Sequence, residues 1–297
     1  MGQIETRALG CECSGVVCRV GSSVRSLTVG DRVTTFADGT FSTFARTAEP
    51  LVHKMPNGMD FAAAATLPIV YGTALRALDV AHVSRSDTVL IHAASGGLGQ
   101  ALIMLCQHAG ARILATVGTA EKKDFLVTQY KIPESQIFYS RDDSFARDVM
   151  RATAGKGADV IFNSVSSDLL RITWQCIAPF GRFVELGKRD FAINSRLEMA
   201  PFAPNVTFAA VDLVHLLEQQ PEFGNTAWAR LLDLLNSGSI QVPQPISIYG
   251  MSETEKALRT MQGGRHLGKL VLVPREEETF RVSGRIPRAV RECVGEN

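Results

Sequence analysis

Residues 89 to 101, Val-Leu-Ile-His-Ala-Ala-Ser-Gly-Gly-Leu-Gly-Gln-Ala, run from an apolar segment through a glycine-rich turn into a segment of helical spacing. Ala94, Gly96 and Gly99 occupy the three small-residue places of a G-x-G-x-x-G fingerprint. A side chain there would block a pyrophosphate or the close packing of helix on strand. The helix that follows presents free N–H groups to phosphate at its N-terminus. Any tight strand-to-helix turn can hold glycines, so the context carries the argument. Val89 to Ile91 form a buried-strand run, Leu98, Leu102, Leu105 and Ala109 recur at helical spacing, and Ala111 to Val117 supply a second apolar run, completing a βαβ unit.

The end of the second run bears on which dinucleotide fits. An NAD site places Asp or Glu about 20 residues after the glycines to hold the ribose 2′-hydroxyl. Here the stretch reads Thr116-Val117-Gly118-Thr119-Ala120-Glu121-Lys122-Lys123, with no carboxylate at the strand tip. A hydroxyl at Thr119 and the ammonium groups beyond it suit a 2′-phosphate, which favours NADPH. The alternatives are that Lys122 and Lys123 form a solvated helix face and that Glu121 serves NAD.

These groups need a scaffold, and the sequence lays one out. With 297 residues and 45% hydrophobic content, the chain can form two compact units with a substantial core. Lys and Arg number 31 against 30 Asp and Glu, so no global field points to nucleic acid. No apolar stretch is read as an uninterrupted membrane span, and the N-terminus lacks the basic and apolar segments of a secretory signal, so a cytoplasmic location is expected. Cys11, Cys13, Cys18, Cys106, Cys176 and Cys293 show no C-x-x-C pair and read as reduced, mostly buried thiols, with no metal site.

Residues 8 to 56 are rich in valine, threonine and turn signals and predict short antiparallel strands. From Asp60 the pattern turns helical, through 62–67 and 73–80. Strand runs at 88–92, 112–117, 136–139, 159–162, 181–186 and 206–210 then alternate with helices. Six such runs opening on the glycine turn predict an α/β fold, a Rossmann-type doubly wound parallel sheet that binds ligand outside its carboxyl edge. Helices are expected at 213–219 and 226–236, then a strand at 246–249. A helix at 252–262 is opened by a Ser252 to Glu255 capping box, and a last strand lies at 269–273. The division expected is a partial GroES-like β-rich substrate domain at 1–60 and 242–274, an NADP-binding domain at 61–241, and a linker or disordered tail at 275–297.

Together the motifs resemble the medium-chain dehydrogenase/reductase superfamily, and within it the enoylreductase domain of highly reducing fungal polyketide synthases. The pieces are Leu9-Gly-Cys-Glu-Cys-Ser-Gly-Val-Val17, Val29-Gly-Asp-Arg-Val33, Ala64-Ala-Thr-Leu-Pro68 with Tyr71-Gly-Thr-Ala74, the glycine turn, Asn163-Ser164, Gly181-Arg-Phe-Val-Glu-Leu-Gly-Lys188 and Gly268-Lys-Leu-Val-Leu-Val-Pro274. They span about residues 8 to 278 in consistent order. The resemblance implies hydride transfer from NADPH to the β-carbon of an α,β-unsaturated thioester on an acyl carrier protein, with a proton delivered to the α-carbon. Zinc-using members place His where Cys11 stands and carry a four-cysteine loop that this sequence lacks, so a zinc alcohol dehydrogenase is disfavoured.

Such chemistry needs stabilisation of an enolate oxygen and a proton source. Lys188 follows the 181–186 run at its carboxyl end and resembles the lysine that donates the proton or orients the substrate, with Asp212 as its partner carboxylate. A surface lysine pairing locally with Asp190, and a helix N-cap at Asp212, are the competing readings. By the same resemblance Ser95, Gly96, Gly97 and Leu98, with Gly99 behind them, cradle the pyrophosphate. Thr119 and Lys122 meet the 2′-phosphate, and Tyr139 and Arg141 flank the adenosine end. Asn163 and Ser164 meet the nicotinamide ribose, Thr73 reaches the nicotinamide, and Gly268 and Lys269 close over the cofactor. Thr73 as helix packing and Lys269 as an edge-strand charge stay open.

Two departures stand out. The family's Asn-Ser-Leu-Ser-Gly is Asn163-Ser164-Val165-Ser166-Ser167 here, which implies a stiffer turn. The chain also starts just before Leu9-Gly-Cys-Glu, so the strands that usually precede it are expected to be missing, exposing sheet edges. An enoyl reductase acting with a polyketide synthase or carrier protein is the leading expectation. A quinone or enone reductase of the same superfamily and a truncated, non-catalytic NADPH-binding protein are the alternatives. No nucleic-acid or membrane partner is expected, and homodimerisation through sheet edges stays open.

Overall fold

The computed structural model describes residues 9–275 and 278. The first described strands are β1 (Glu12–Val16), β2 (Arg32–Phe36) and β3 (Val52–Lys54), an antiparallel sheet in that order. Next come the short α1 (Phe61–Ala64), N-capped by Asp60 accepting from Ala63 N–H, and α2 (Pro68–Ala81), with proline in the first turn where its missing N–H costs nothing. The alternating part runs β4 (Thr88–Ile91), α3 (Gly97–Ala109), β5 (Arg112–Val117), α4 (Ala120–Tyr130), β6 (Ile137–Tyr139), α5 (Ser144–Ala152), β7 (Ala158–Asn163), α6 (Asp168–Trp174), β8 (Ile177–Glu185), α7 (Arg189–Ala192) and β9 (Thr207–Ala210). After it stand α8 (Leu213–Gln219), α9 (Glu222–Asn236), β10 (Ile246–Gly250), α10 (Thr254–Gln262) and β11 (Lys269–Val273).

The large sheet is wholly parallel, in the order β6-β5-β4-β7-β8-β9. The chain winds outward from β4 through β5 to β6, then returns to build β7, β8 and β9 on the other side. The doubly wound expectation holds, and the switch point lies between β4 and β7. Val89, Leu90, Ile91, Val160, Ile161 and Phe183 are fully buried, as central strands covered on both faces require. One core packs α2, α3 and α9 on one face of the sheet, with Tyr71, Leu102 and Trp228 inside it. The other face is filled by Phe145, Trp174 and Phe183.

Several expectations are corrected. The 181–186 strand begins earlier, at Ile177, and its pairing with β7 shifts register between Ala158 and Val160. Pro179 and the positive φ of Phe180 at this irregularity hide the strand's start from a periodicity reading. The Ser252 to Glu255 capping box does not form. Glu253 accepts from Gly250 N–H at 3.0 Å, Ser252 turns to Glu278, and Glu255 pairs with Arg259. β10 and β11 pair in parallel with each other and do not extend the β1–β3 sheet.

Phe61–Ala81 is long and apolar enough to cross a membrane by length and composition, contrary to the sequence reading. Most of it is buried, and α2 packs against α3, α8, α9, β2 and β8. Of the described cysteines, Cys106 and Cys176 are buried, Cys13 in β1 is half-buried, and Cys11 and Cys18 on either side of β1 are exposed. Cys293 and most of the expected tail lie outside the described residues. Within that tail, Glu278 accepts from Met251 and Ser252 N–H, so these two segments are joined.

Candidate functional site

Every expected strand-tip residue falls on the carboxyl edge of the parallel sheet. Across the sheet the order is Tyr139 and Arg141 after β6, Thr119 and Lys122 after β5, the glycine turn after β4, Asn163 and Ser164 after β7, Lys188 after β8, and Asp212 after β9. A dinucleotide laid along this edge would have its adenosine at the β5–β6 end and its reactive ring at the β7–β8 end.

The glycine turn has the local geometry this requires. Gly96 is the N-cap of α3 and supplies no side-chain acceptor, leaving the first-turn N–H groups without a side-chain cap. A Cβ on Gly99 would lie 2.6 Å from both Ala93 O and Ala94 Cα, so only glycine lets α3 approach β4 this closely. A Cβ on Gly96 would come no nearer than 3.5 Å to any neighbouring group, which leaves that side open. An uncapped N-terminus behind an open glycine face fits a pyrophosphate.

The turn is held by Gly268 and Lys269 together with two residues not singled out from the sequence, Gln100 and Glu12. Ser95 O accepts from Gly268 N–H at 3.0 Å and from Gln100 Nε2 at 2.8 Å. Gln100 is fully buried. It also donates to Gln244 O, and its Oε1 accepts from Gln244 N–H and the Tyr130 hydroxyl. Lys269 lays its methylenes across Gly97, where a Cβ would sit 2.6 Å from Lys269 Cδ, and its ammonium pairs with Glu12. The other Glu12 oxygen accepts from Ile69 N–H in the first turn of α2 at 2.9 Å. One carboxylate therefore joins β1, α2 and β11 beside the glycine turn. The sequence offered no signal for Gln100 or Glu12 beyond their positions inside motifs.

Toward the β5–β6 end, Thr119 caps α4 by accepting from Lys122 N–H at 3.3 Å. Lys122 Nζ donates to Gly264 O at 2.6 Å. Its pKa is lowered, chiefly by burial, with Arg141 adding to the effect and Glu121 opposing it. Arg141 Nε donates to Gly118 O at 2.6 Å. Lys123 turns away, pairing with Glu134 at 3.1 Å and lying 5.5 Å above the Tyr139 ring.

At the other end, Asn163 is fully buried. Its Nδ2 donates to Val165 O at 2.8 Å and to Glu185 Oε2 at 2.6 Å, while its Oδ1 is buried without a partner. Ser164 is exposed beside it. Thr73 is buried in α2, next to Gly72, whose missing Cβ makes room for Leu213 and Phe36. Ser167 has φ 60° and ψ −128°, a conformation open to glycine and strained for other residues, and its N–H donates to Asp190 at 3.0 Å. The departure from the family's glycine thus falls where glycine is wanted.

Lys188 Nζ meets Asp212 Oδ1 at 2.6 Å, with both side chains partly exposed. The same oxygen accepts from Val214 N–H at 3.1 Å and His215 N–H at 3.3 Å, so Asp212 is at once the N-cap of α8 and the partner of Lys188. Burial would raise the Asp212 pKa. The Lys188 ammonium and the two N–H donors outweigh it and hold the carboxyl below its ordinary value. Asp190, the alternative partner for Lys188, is engaged by Ser167 instead.

Comparison with known proteins sets this geometry in context. Residues 134–272 match the family of zinc-binding dehydrogenases. Among the described residues no three His, Cys, Asp or Glu side chains converge as a metal site. The chain is 49% identical over 272 residues to a highly reducing polyketide synthase, tstA, of Talaromyces stipitatus, a match covering 91% of this chain and 11% of that protein. It is 43% identical over 291 residues to squalestatin tetraketide synthase of a Phoma species, covering 97% of this chain and 11% of the relative. The chain thus spans about a tenth of the length of these curated relatives. Among solved structures, CurK enoyl reductase superimposes with TM-score 0.79 at 33% identity, covering 90% of this chain and 79% of that one. A mycobacterial protein, Rv1454c, solved with NADPH, superimposes with TM-score 0.79 at 27% identity, covering 89% and 82%.

Proposed function

The chain belongs to the enoyl reductases of the medium-chain dehydrogenase/reductase superfamily, and from that premise we propose that it reduces the α,β-double bond of an enoyl thioester carried by an acyl carrier protein during polyketide assembly. The carrier and the assembly line are proposed because the curated relatives are polyketide synthases that this chain matches along nearly its whole length. NADPH, when bound, supplies the hydride that adds to the β-carbon. The preference for NADPH over NADH rests on the strand tip after β5, where Thr119 and Lys122 stand in place of a carboxylate. We read the reaction as zinc-independent, with Cys11 at the position where zinc-using members have histidine.

The observation that carries the proposal is the Lys188–Asp212 pair at the β8–β9 end of the carboxyl edge. Hydride addition at the β-carbon leaves negative charge on the thioester oxygen, and an ammonium group within reach stabilises that charge as it develops. The same ammonium can release a proton toward the α-carbon, with Asp212 orienting it. Asn163, on the neighbouring strand tip, fits the role of holding the nicotinamide ribose. The glycine turn and α3 N-terminus hold the pyrophosphate, and Gly268 and Lys269 back that turn.

The test is NADPH oxidation with crotonyl-pantetheine and, in parallel, with a simple quinone. Turnover of the thioester but not the quinone is expected. Lys188→Ala should lower kcat at least tenfold while leaving the NADPH dissociation constant within about twofold. Quinone turnover alone would replace the proposal with a quinone reductase, and tight NADPH binding without turnover on either acceptor would make the chain a non-catalytic binder. A collapse of NADPH affinity in Lys188→Ala would make Lys188 a cofactor ligand instead.

A further inference from the structure

Glu185 is a buried carboxyl that the reaction as described leaves without a role. It is the last residue of β8, 3% exposed, and lies in register with Asn163 of β7 and Ala210 of β9. Its two oxygens are used in different directions: Oε2 accepts from Asn163 Nδ2 and Oε1 from Gly187 N–H, each at 2.6 Å. Its backbone carbonyl accepts from Val211 N–H at 3.0 Å, one residue before Asp212. One residue thus joins the exits of all three strands whose tips carry Asn163, Lys188 and Asp212.

The arrangement is costly. Burial, with Asp190 adding to it, pushes the Glu185 carboxyl up to about 7 against the pull of Asn163 and Gly187, and among the described residues no salt bridge reaches it. A site needing only packing would be more stable with an apolar residue, and such a cost is retained where geometry at a functional site demands it. The approach is also built into the chain on the other side of the bond. A Cβ on Gly187 would lie 2.7 Å from Glu185 Oε1, so glycine is needed for the carboxylate to reach that N–H.

We propose that Glu185 is the positioning residue of this site: its carboxylate, accepting from Asn163 and Gly187 together, fixes the turn that delivers Lys188 to Asp212 and locks the turn beyond β7 against it. Glu185 touches neither reacting atoms nor substrate and acts through Lys188. The inference therefore rests on the role given to Lys188 above.

The test is a double-mutant cycle at pH 8.5, where Glu185 is ionised, on the full 297-residue chain with crotonyl-pantetheine and NADPH, using wild type, Glu185→Gln, Lys188→Ala and the double variant. An amide at 185 offers a donor to one of two donors, so one tie is lost. The expected result is a kcat about tenfold lower in Glu185→Gln, KM changed less than threefold, and less than a twofold further effect of Glu185→Gln once Lys188 is alanine. An equal loss in both backgrounds, or no loss in the single variant, overturns the positioning role and leaves the Lys188 assignment standing. An unchanged kcat in Lys188→Ala overturns that assignment and the inference with it. Near-UV circular dichroism checks the fold. Should Glu185→Gln not fold, Gly187→Ala breaks the same tie from the other side and must show the same dependence on Lys188.

Discussion

Replacing Lys122 with alanine tests the cofactor assignment at the point where two dinucleotides differ. In the structure the Lys122 ammonium donates to Gly264 O at 2.6 Å, in a position buried enough to lower its pKa. Its ammonium has three N–H donors, so meeting a 2′-phosphate costs at most this one bond to a neutral carbonyl, about 1 kcal/mol. A unit charge pair at 4 Å is worth about 1 kcal/mol in bulk water and about 4 kcal/mol at an effective dielectric constant of 20. Lys122 lies between these limits and the phosphate carries more than one charge, so a net contribution of about 1.5–3 kcal/mol follows, or roughly 10- to 150-fold in affinity. NADH presents only a hydroxyl, and its dissociation constant should move by less than about twofold. Titration of nucleotide fluorescence with NADPH and NADH measures both constants, and the NADPH effect should shrink as salt is raised. Equal weakening of the two nucleotides, or an NADPH loss below threefold, would refute the placement of the phosphate at this strand tip.

Two further outcomes concern stability. Ser167→Gly relieves a conformation costing about 1–3 kcal/mol, while the added freedom of the unfolded chain costs about 0.4–1 kcal/mol. The net gain of about 1 kcal/mol should raise Tm by roughly 2 °C, and an unchanged or lowered melting temperature would show that the turn is unstrained. For Glu185, the folded-state pKa of about 7 lies above the ordinary 4.5, so its share of stability is complete below 4.5 and is lost as pH rises through 7. A shift of this size corresponds to about 3 kcal/mol. Wild type should therefore lose up to that amount relative to Glu185→Gln between pH 5 and 8 in urea unfolding, and a difference constant with pH would contradict the burial argument.

The parallel sheet was legible because strands buried on both faces read as apolar runs, and turns between them carry glycine, threonine and asparagine. Once the runs are aligned, the carboxyl-edge position of Thr119, Asn163, Lys188 and Asp212 follows from topology alone. What escaped was contact made across sequence. Glu185 stands inside an apolar run, and nothing in that run shows that its oxygens meet Asn163 and Gly187. Gln100 looks like a polar residue on a helix, yet it is the buried junction between the glycine turn and residue 244. The capping box at Ser252 failed for a similar reason. Glu278 lies 26 positions away and claims the serine, while Glu253 reaches back to Gly250. The dual role of Asp212, read from sequence as two competing options, was one arrangement, because a carboxylate oxygen at a helix N-terminus still has room for an ammonium.

The pairing of Glu12 with Lys269 has a consequence for how the molecule is made. These residues are 257 positions apart, and Lys269 is the side chain lying across Gly97. At roughly 5–20 residues per second, the ribosome releases the glycine turn about ten to thirty seconds before the strand that backs it. The sheet around β4 can assemble in that interval, but Ser95 lacks Gly268 and Glu12 lacks its cation until the last described strand begins to emerge. Completion of the nucleotide cradle is thus a report that β11 has been synthesised and docked.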